Sequence, residues 1–229
     1  MRFQRRYVLL TAAVALFFLA RSDWNSSHAQ APGQTHPTSR EDVSRERFRD
    51  DLNKPRRHFR VRRARRLDDD AAREVYGDLK ARMATGYAVS GDATVRKYQS
   101  WKQYNTAPYG SSTHGNRYVN NFANAKASRY GLYDSAGVLP VGAIIAKDSF
   151  VVDHGGKVEP GPLFVMEKMP GGFNYVSGDW RYTMILPDGS LFGTTNGDND
   201  VRVEFCISCH LARESYDHLI FLPKEWRRP

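Results

Sequence analysis

The sequence predicts an α+β protein in which N-terminal helices are followed by an antiparallel β-sheet domain. Apolar residues recur at helical spacing between residues 71 and 104, residues 117–200 lack comparable periodicity, and the cysteine motif is expected to lead into a last short helix. Short runs of aromatic and β-branched residues then fill residues 117–194, separated by turns that contain glycine, proline and asparagine. Helices followed by a run of short strands are typical of the α+β class.

Two helices are expected before the sheet. Residues 68–70 are all aspartate, and acidic side chains at a helix start favour its dipole and cap its amides, so a first helix is predicted over 71–85. A second helix is predicted over 93–104, before Pro108 and Gly110. The apolar stripes expected to pack on the core are Val75, Leu79 and Met83 in the first helix and Val95, Tyr98 and Trp101 in the second.

The sheet is expected to contain five short strands. Pro187-Asp188-Gly189 is a turn signal and pairs the last two strands as a hairpin. Alternation in the fourth strand places Trp180, Tyr182 and Met184 on one face. The predicted strands are 117–123, 142–152, 163–168, 179–186 and 190–194.

The N-terminus has the pattern of an export signal. Met1–Arg6 carries three arginines, Tyr7–Ala20 is an apolar run, and Ser27-His28-Ala29 offers small residues at a cleavage site. Residues 1–29 are therefore expected to be a signal peptide that directs the chain to a bacterial periplasm. The alternative is an N-terminal segment that stays uncleaved as an anchor, although the apolar run is short for a span of roughly 20 residues.

The basic character of the chain belongs to one segment. The formal net charge is +9, and Arg45–Arg66 holds ten arginines and one lysine against three acidic residues. Residues 30–66 are expected to be a disordered, Arg-rich tether that leads into one domain, residues 67–229. The tether is either a solvated linker or a contact for an anionic membrane surface or an acidic redox partner. Export argues against a nucleic-acid partner.

Cys206-Ile207-Ser208-Cys209-His210 is the most informative motif. These are the only two cysteines in the chain. Two thiols at CxxC spacing add to the vinyl groups of a haem, and the following histidine binds its iron, so the motif predicts one covalent haem c with His210 as iron ligand. The alternatives are a short disulfide, or half of a zinc site that would need further soft ligands.

The sequence favours an iron whose second axial position is open. The 19 residues after His210 contain no methionine, unlike the second ligand of small helical cytochromes c. His218 lies about two helical turns beyond His210 and on the same side of the haem. His114 and His154 are expected to be turn or surface histidines. Met166, Met169 and Met184 are expected to belong to the core.

Several segments carry a family resemblance in their order and in the late position of the CxxCH motif. The chain resembles the cytochrome P-460 family, which includes the cytochromes c′-beta, over roughly Tyr98–Trp226. The resemblance rests on Trp101, Asn105–Tyr109, Thr113–Asn120, Pro140–Asp148, Met166–Lys168 and Gly178–Trp180.

The resemblance implies an antiparallel-sheet haem protein, a homodimer, with His210 as proximal ligand of a mainly five-coordinate iron. It also implies that Lys147 matches the lysine that enzymes of this family link covalently to the porphyrin edge. Glu204, two residues before Cys206, is a candidate base near the haem, and Glu167 is a weaker one. The aromatic residues expected either to wall the haem pocket or to form the core of the sheet are Phe164, Trp180 and Tyr182.

Three functions stay open at the level of sequence. The first is an oxidoreductase of the P-460 type that acts on hydroxylamine or NO and passes electrons to a periplasmic carrier. The second is a c′-beta-like protein that binds NO or another gas without turnover. The third is a six-coordinate electron carrier. An open iron site suits the first two, and a filled one suits the third.

Overall fold

The structure is a computed structural model that describes residues 54–62 and 64–228. The predicted signal peptide, residues 1–29, and the predicted tether as far as residue 53 lie outside the described residues. Between these limits the chain combines one antiparallel sheet with a few helices. The α+β class and the antiparallel sheet that the sequence predicts are therefore confirmed.

The first predicted helix is present and is longer than expected. Helix α1 spans Asp69–Ala88, and the carboxylate of its N-cap residue, Asp68, accepts a hydrogen bond of 2.8 Å from the amide of Ala71. This bond satisfies one of the amides that a helix start leaves free. The buried residues of α1 recur every three or four positions: Ala72, Tyr76, Leu79, Met83 and Tyr87.

The prediction of a second helix over 93–104 is wrong. Only Tyr98–Ser100 forms a short 3-10 turn in this stretch, and the chain then enters a strand. The carboxylate of Asp92 accepts hydrogen bonds from the amides of Thr94 (2.7 Å) and Val95 (3.3 Å). This local side-chain bonding holds a turn where a helix would otherwise begin, and it competes with helical pairing.

In the described part of the chain, eight strands form one sheet in which every pairing is antiparallel. Its main order is β1-β3-β4-β6-β7-β8, with β2 paired to β3 and β5 paired to β4. The strands are β1 (Lys102–Gln103), β2 (Tyr109–Ser111), β3 (Arg117–Ala123), β4 (Ile144–Val152), β5 (Val158–Pro160), β6 (Leu163–Lys168), β7 (Trp180–Ile185) and β8 (Leu191–Thr194).

The two faces of the sheet carry two different cores. One core contains the buried residues of α1 together with Tyr118, Phe122 and Phe150. The other contains Met166 and Tyr182, and Phe221 and Trp226, which follow the cysteines in the sequence, pack against it. Because side chains alternate along a strand, neighbours in β4 face opposite ways. Five predicted strands are confirmed within a few residues.

The C-terminal part packs on the face of the sheet away from α1. Helix α2 spans Glu204–His210 and continues as a 3-10 helix over Leu211–Tyr216. Asp217 and His218 then take left-handed backbone conformations, with φ of 54° and 60°, and end this helical run. The other 3-10 helices among the described residues are Ala125–Ser135, Tyr175–Ser177, Asp200–Arg202 and Lys224–Trp226.

The described end of the predicted tether differs from the disordered linker expected there. The amide of Val61 donates to the carbonyl of Gly115 (2.9 Å), and the amide of Arg65 donates to the carbonyl of Val152 (2.8 Å). Backbone contacts with the sheet domain therefore begin before residue 67. Within the described residues, no helix combines the length and apolar character needed to cross a bilayer.

Candidate functional site

A cavity of about 540 Å³, counted with its open mouth, lies between the sheet and α2. Strands β4, β6 and β7 supply its mostly apolar wall, and α2 supplies sulfur and nitrogen atoms. Two further parts of the chain enter it: the turn after β2 and the segment that precedes α1. The residues on which the site depends are His58, His114, Lys147, Cys206, Cys209 and His210.

Helix α2 presents both cysteines to the cavity. Residues three positions apart lie on one side of a helix, so the CxxC spacing aligns the two thiols. Both cysteines are free thiols, and Cys209 is the more exposed of the two. Burial, followed by the charge of Cys209, raises the pKa of the Cys206 thiol to about 12. The disulfide that the sequence left open is not formed.

His210 is buried at the end of α2, and its ring is fixed by a single hydrogen bond. Its Nδ1 lies 2.7 Å from the backbone carbonyl oxygen of His218. A carbonyl only accepts, so Nδ1 carries the hydrogen and Nε2 keeps its lone pair. Burial, followed by the charge of Lys147, lowers the pKa of His210 to about 3 and keeps the ring neutral. A neutral imidazole in this tautomer is a ready ligand for a metal.

The loop that carries the His218 carbonyl is held by Asp217. One carboxylate oxygen of Asp217 accepts from the Lys168 ammonium at 2.5 Å, and the other accepts from the amide of Leu139 at 2.8 Å. The indole Nε1 of Trp180 donates to the Asp217 carbonyl at 2.8 Å. Trp180 therefore anchors the loop and belongs to the core.

Lys147 points into the cavity from the middle of β4. It is 6% exposed, and its amine makes neither a hydrogen bond nor an ion pair with a described residue. Burial lowers the pKa of Lys147 to about 8, although the charge of Cys209 opposes this. An amine with a pKa near 8 is neutral, and so nucleophilic, in about one tenth of the molecules at pH 7.

Two further histidines line the cavity beside Phe164. The ring of His58 lies 5.1 Å from that of His114 and 4.8 Å from that of Phe164, measured between centroids. His114 is buried, and its Nδ1 is 2.9 Å from the Ser111 hydroxyl. Burial lowers the pKa of His114 well below its usual value and that of His58 to about 3, so both rings are neutral.

Tyr182 contributes a buried hydroxyl that has no hydrogen-bond partner among the described residues. Its side chain lines the cavity, and its ring lies 5.0 Å from the ring of His210. An unsatisfied buried hydroxyl costs about 1–3 kcal/mol, so a polar group that enters the cavity would relieve this cost. The cavity therefore combines two thiols, a neutral imidazole and an unused hydroxyl.

The two predicted acidic bases lie away from this cavity. Glu204 is half exposed, pairs with Lys54 at 2.9 Å, and lines a separate cleft. Glu167 forms an ion pair with Arg181 across β6 and β7. Glu204 sits in the first turn of α2, on the opposite side from Cys206. Neither carboxylate lines the cavity.

The structure brings together four of the predicted site residues and adds others. Cys206, Cys209, His210 and Lys147 share the cavity, as do the predicted wall residues Phe164 and Tyr182. His114 lies in a turn, as expected, but it is buried in the site and not on the surface, whereas His154 is exposed as expected. His58 lies in the predicted tether, where a histidine among arginines carries no sequence signal for a cavity.

A scan against models of known protein families finds no match for this chain, and a search of curated proteins finds none either. Among residues 54–62 and 64–228, no group of three or more His, Cys, Asp or Glu side chains is arranged to hold a metal ion.

Proposed function

We propose that this chain is an exported mono-haem c protein of the cytochrome P-460 type. Cys206 and Cys209 would hold the haem by thioether bonds, and His210 would bind its iron. Hydroxylamine, NO or a similar small nitrogen compound would bind at the open position of the iron. A periplasmic carrier would exchange electrons with it.

One observation carries this proposal: both thiols and a neutral imidazole with a free Nε2 face a single, largely apolar cavity. The bond from Nδ1 to the His218 carbonyl sets the tautomer and the ring orientation that iron binding requires. The aromatic and aliphatic wall supplied by the sheet suits a flat apolar macrocycle.

When bound, the haem supplies reversible binding of small ligands and one-electron chemistry at its iron. The protein supplies orientation and proton transfer. His210 is held by the His218 carbonyl, and this bond increases its basicity as a ligand. Lys147, with its pKa near 8, is the group in the cavity best matched to exchange a proton near neutral pH.

Lys147 would also form a third covalent link to the haem. In that link, an N–C bond to the porphyrin edge would replace one N–H and one C–H bond, while an external two-electron oxidant of the peroxide class takes up the electrons. Its amine lines the cavity without a described partner, and a neutral amine is the nucleophilic form. Glu204 lines a separate cleft, so the predicted role as a base near the haem is not part of this proposal.

The second candidate is a c′-beta-like protein that binds gas without turnover. The predominantly apolar wall, with Phe164 beside the two histidines, favours this function, because a small uncharged gas needs no charged group. A six-coordinate electron carrier would require a second ligand from the cavity, and His58 and His114 are the imidazoles available there.

The test begins with haem attachment in the exported full chain. We expect wild type to keep its haem on a denaturing gel and in intact mass, and the Cys206→Ala/Cys209→Ala variant to lose it. A wild-type chain purified without covalent haem, from a host that attaches haem to a control cytochrome c, would refute the proposal.

Ferrous absorption spectra with and without CO then separate the functions. For the P-460 type we expect a red-shifted Soret band that returns to an ordinary haem c band in Lys147→Ala but not in the exposed control Lys126→Ala. An ordinary spectrum unchanged by Lys147→Ala, with strong CO binding, indicates the gas-binding protein. A low-spin spectrum with weak CO binding indicates the electron carrier.

A further inference from the structure

His58 reaches the cavity from outside the sheet. It lies in the described part of the segment expected to be a tether, and its ring packs edge-on against Phe164 and Phe205, with centroid distances of 4.8 and 4.6 Å. It lines the same cavity as Cys206, Cys209 and His210. An imidazole from within the Arg-rich segment therefore shares a wall with the proposed haem site.

The segment on both sides of His58 is docked by specific contacts. The carbonyl of Phe59 accepts from an Arg117 guanidinium nitrogen at 2.7 Å, and the amide of Val61 donates to the carbonyl of Gly115 at 2.9 Å. Gly115 has φ of +79°, and a Cβ there would collide with the Phe59 carbonyl oxygen. A glycine is thus required both for this backbone conformation and for the close approach of the segment.

The two imidazoles on this wall differ in their hydrogen bonding. Nδ1 of His114 is engaged by the hydroxyls of Ser111 (2.9 Å) and Thr113 (3.2 Å). The ring of His58 makes no hydrogen bond with a described residue, and its neighbours are rings. A neutral imidazole offers one donor and one acceptor. The N–H and the lone pair of His58 can therefore form hydrogen bonds with a group that binds in the cavity.

We infer that His58 is the hydrogen-bonding residue for the small ligand at the iron, delivered into the cavity by the docked segment 54–62. This inference rests on the proposed haem site and goes beyond it, because it assigns a ligand-recognition role to a residue outside the sheet. A bound ligand with a polar terminal atom would gain one hydrogen bond, whereas CO, a weak acceptor, would gain little.

The experiment measures ligand binding by the haem-loaded full chain. Azide is titrated into the ferric protein, and CO into the ferrous protein, for wild type, His58→Ala, His58→Gln and the exposed control His154→Ala. Losing one hydrogen bond weakens azide binding about fivefold in His58→Ala. We expect CO affinity to stay within about twofold by the same reasoning, since CO accepts poorly. His58→Gln, which keeps a donor, should recover most of the azide affinity.

A second variant tests whether the docked segment is what places His58 in the cavity. It also gives an independent result if His58→Ala fails to fold. Gly115→Ala should displace residues 54–62 and weaken azide binding in the same direction as His58→Ala, with haem content unchanged. Equal azide affinity in wild type and all His58 variants with normal haem content overturns this inference alone. A low-spin ferric wild type that becomes high-spin in His58→Ala also overturns it, because His58 would then bind the iron itself. A chain without covalent haem overturns the proposed function and this inference together.

Discussion

Nδ1 of His210 lies 2.7 Å from the backbone carbonyl oxygen of His218. The eight-residue separation makes this contact possible only because the helical run ends in two left-handed residues, which turn the carbonyl back toward α2. The second histidine of the C-terminal region thus acts through its main chain. Its side chain is not needed for the bond that orients the first.

This relationship predicts different outcomes for the two histidines. His218→Asn should leave the haem content and the ferric spectrum unchanged, because the carbonyl remains and asparagine tolerates a φ of 60°. His210→Ala should change the spectrum, since it removes the proposed iron ligand. Absorption spectra of both purified variants distinguish a main-chain role of His218 from a side-chain role. A spectrum that changes in His218→Asn as strongly as in His210→Ala would contradict a main-chain role.

Much of the fold could be predicted from the sequence because the local signals agree with the final structure. The β-branched and aromatic runs became β3, β4, β6, β7 and β8, and Asp68 caps α1 as expected. The second helix could not be rejected in the same way. Tyr98 and Trp101 have helical spacing, yet the Asx turn at Asp92 and packing against the sheet decide their conformation.

The site could be predicted only where its functional residues are close together in the sequence. CxxCH is local, so α2 carries all three of its functional side chains on one element. The wall is assembled from distant parts of the chain, and single positions give no sign of this. His114 resembles any turn histidine, and His58 lies among arginines without periodicity. Glu204 is near Cys206 in sequence, but the helix directs it to another surface.

Glu204→Gln should have little effect on the site. The side chain of Glu204 is 48% exposed, and its ion pair with Lys54 joins two exposed groups. Such pairs contribute about 0–1 kcal/mol to stability. We expect unchanged spectra and an azide affinity within about twofold of wild type, because no hydrogen bond inside the cavity is lost. A loss of azide affinity as large as that expected for His58→Ala would show that Glu204 acts in the haem site.

Asp217 should be one of the most costly positions to change. Its carboxylate is 4% exposed and pairs with an ammonium on Lys168 whose side chain is 11% exposed. Asp217→Asn keeps the left-handed backbone but leaves a buried ammonium without its counter-charge, which costs about 3–5 kcal/mol. Urea unfolding should show this as a lower midpoint.

A matched control comes from Asp134, which pairs with Arg213 and Arg227 at 3.4 Å and is half exposed. Asp134→Asn should cost less than about 1 kcal/mol, because exposed pairs are screened by solvent. Equal destabilisation by both variants would show that the Lys168–Asp217 pair is not a special anchor of the loop that holds the His218 carbonyl.

Asp148 should make the stability of the fold depend on pH between about 4 and 6. It neighbours Lys147 in β4 but faces α1, where the Tyr76 hydroxyl donates to it at 2.7 Å. Burial raises the pKa of Asp148 from 3.8 to about 6, although hydrogen bonds from Tyr76 and Asn120 oppose this. The folded protein therefore holds a proton in this interval that the unfolded chain has released.

Because the folded state binds more protons than the unfolded state between these two pKa values, its free energy of unfolding falls as pH rises through the interval. The contribution is fully present below about pH 4 and is lost above about pH 6. A shift of this size corresponds to roughly 2–3 kcal/mol. Urea unfolding of wild type and Asp148→Asn at several pH values isolates it as the difference between the two curves. Asp134→Asn serves as the exposed control and should show no such difference. A wild-type curve that runs parallel to that of Asp148→Asn from pH 4 to 6 would mean that Asp148 is ionised in the fold throughout this range.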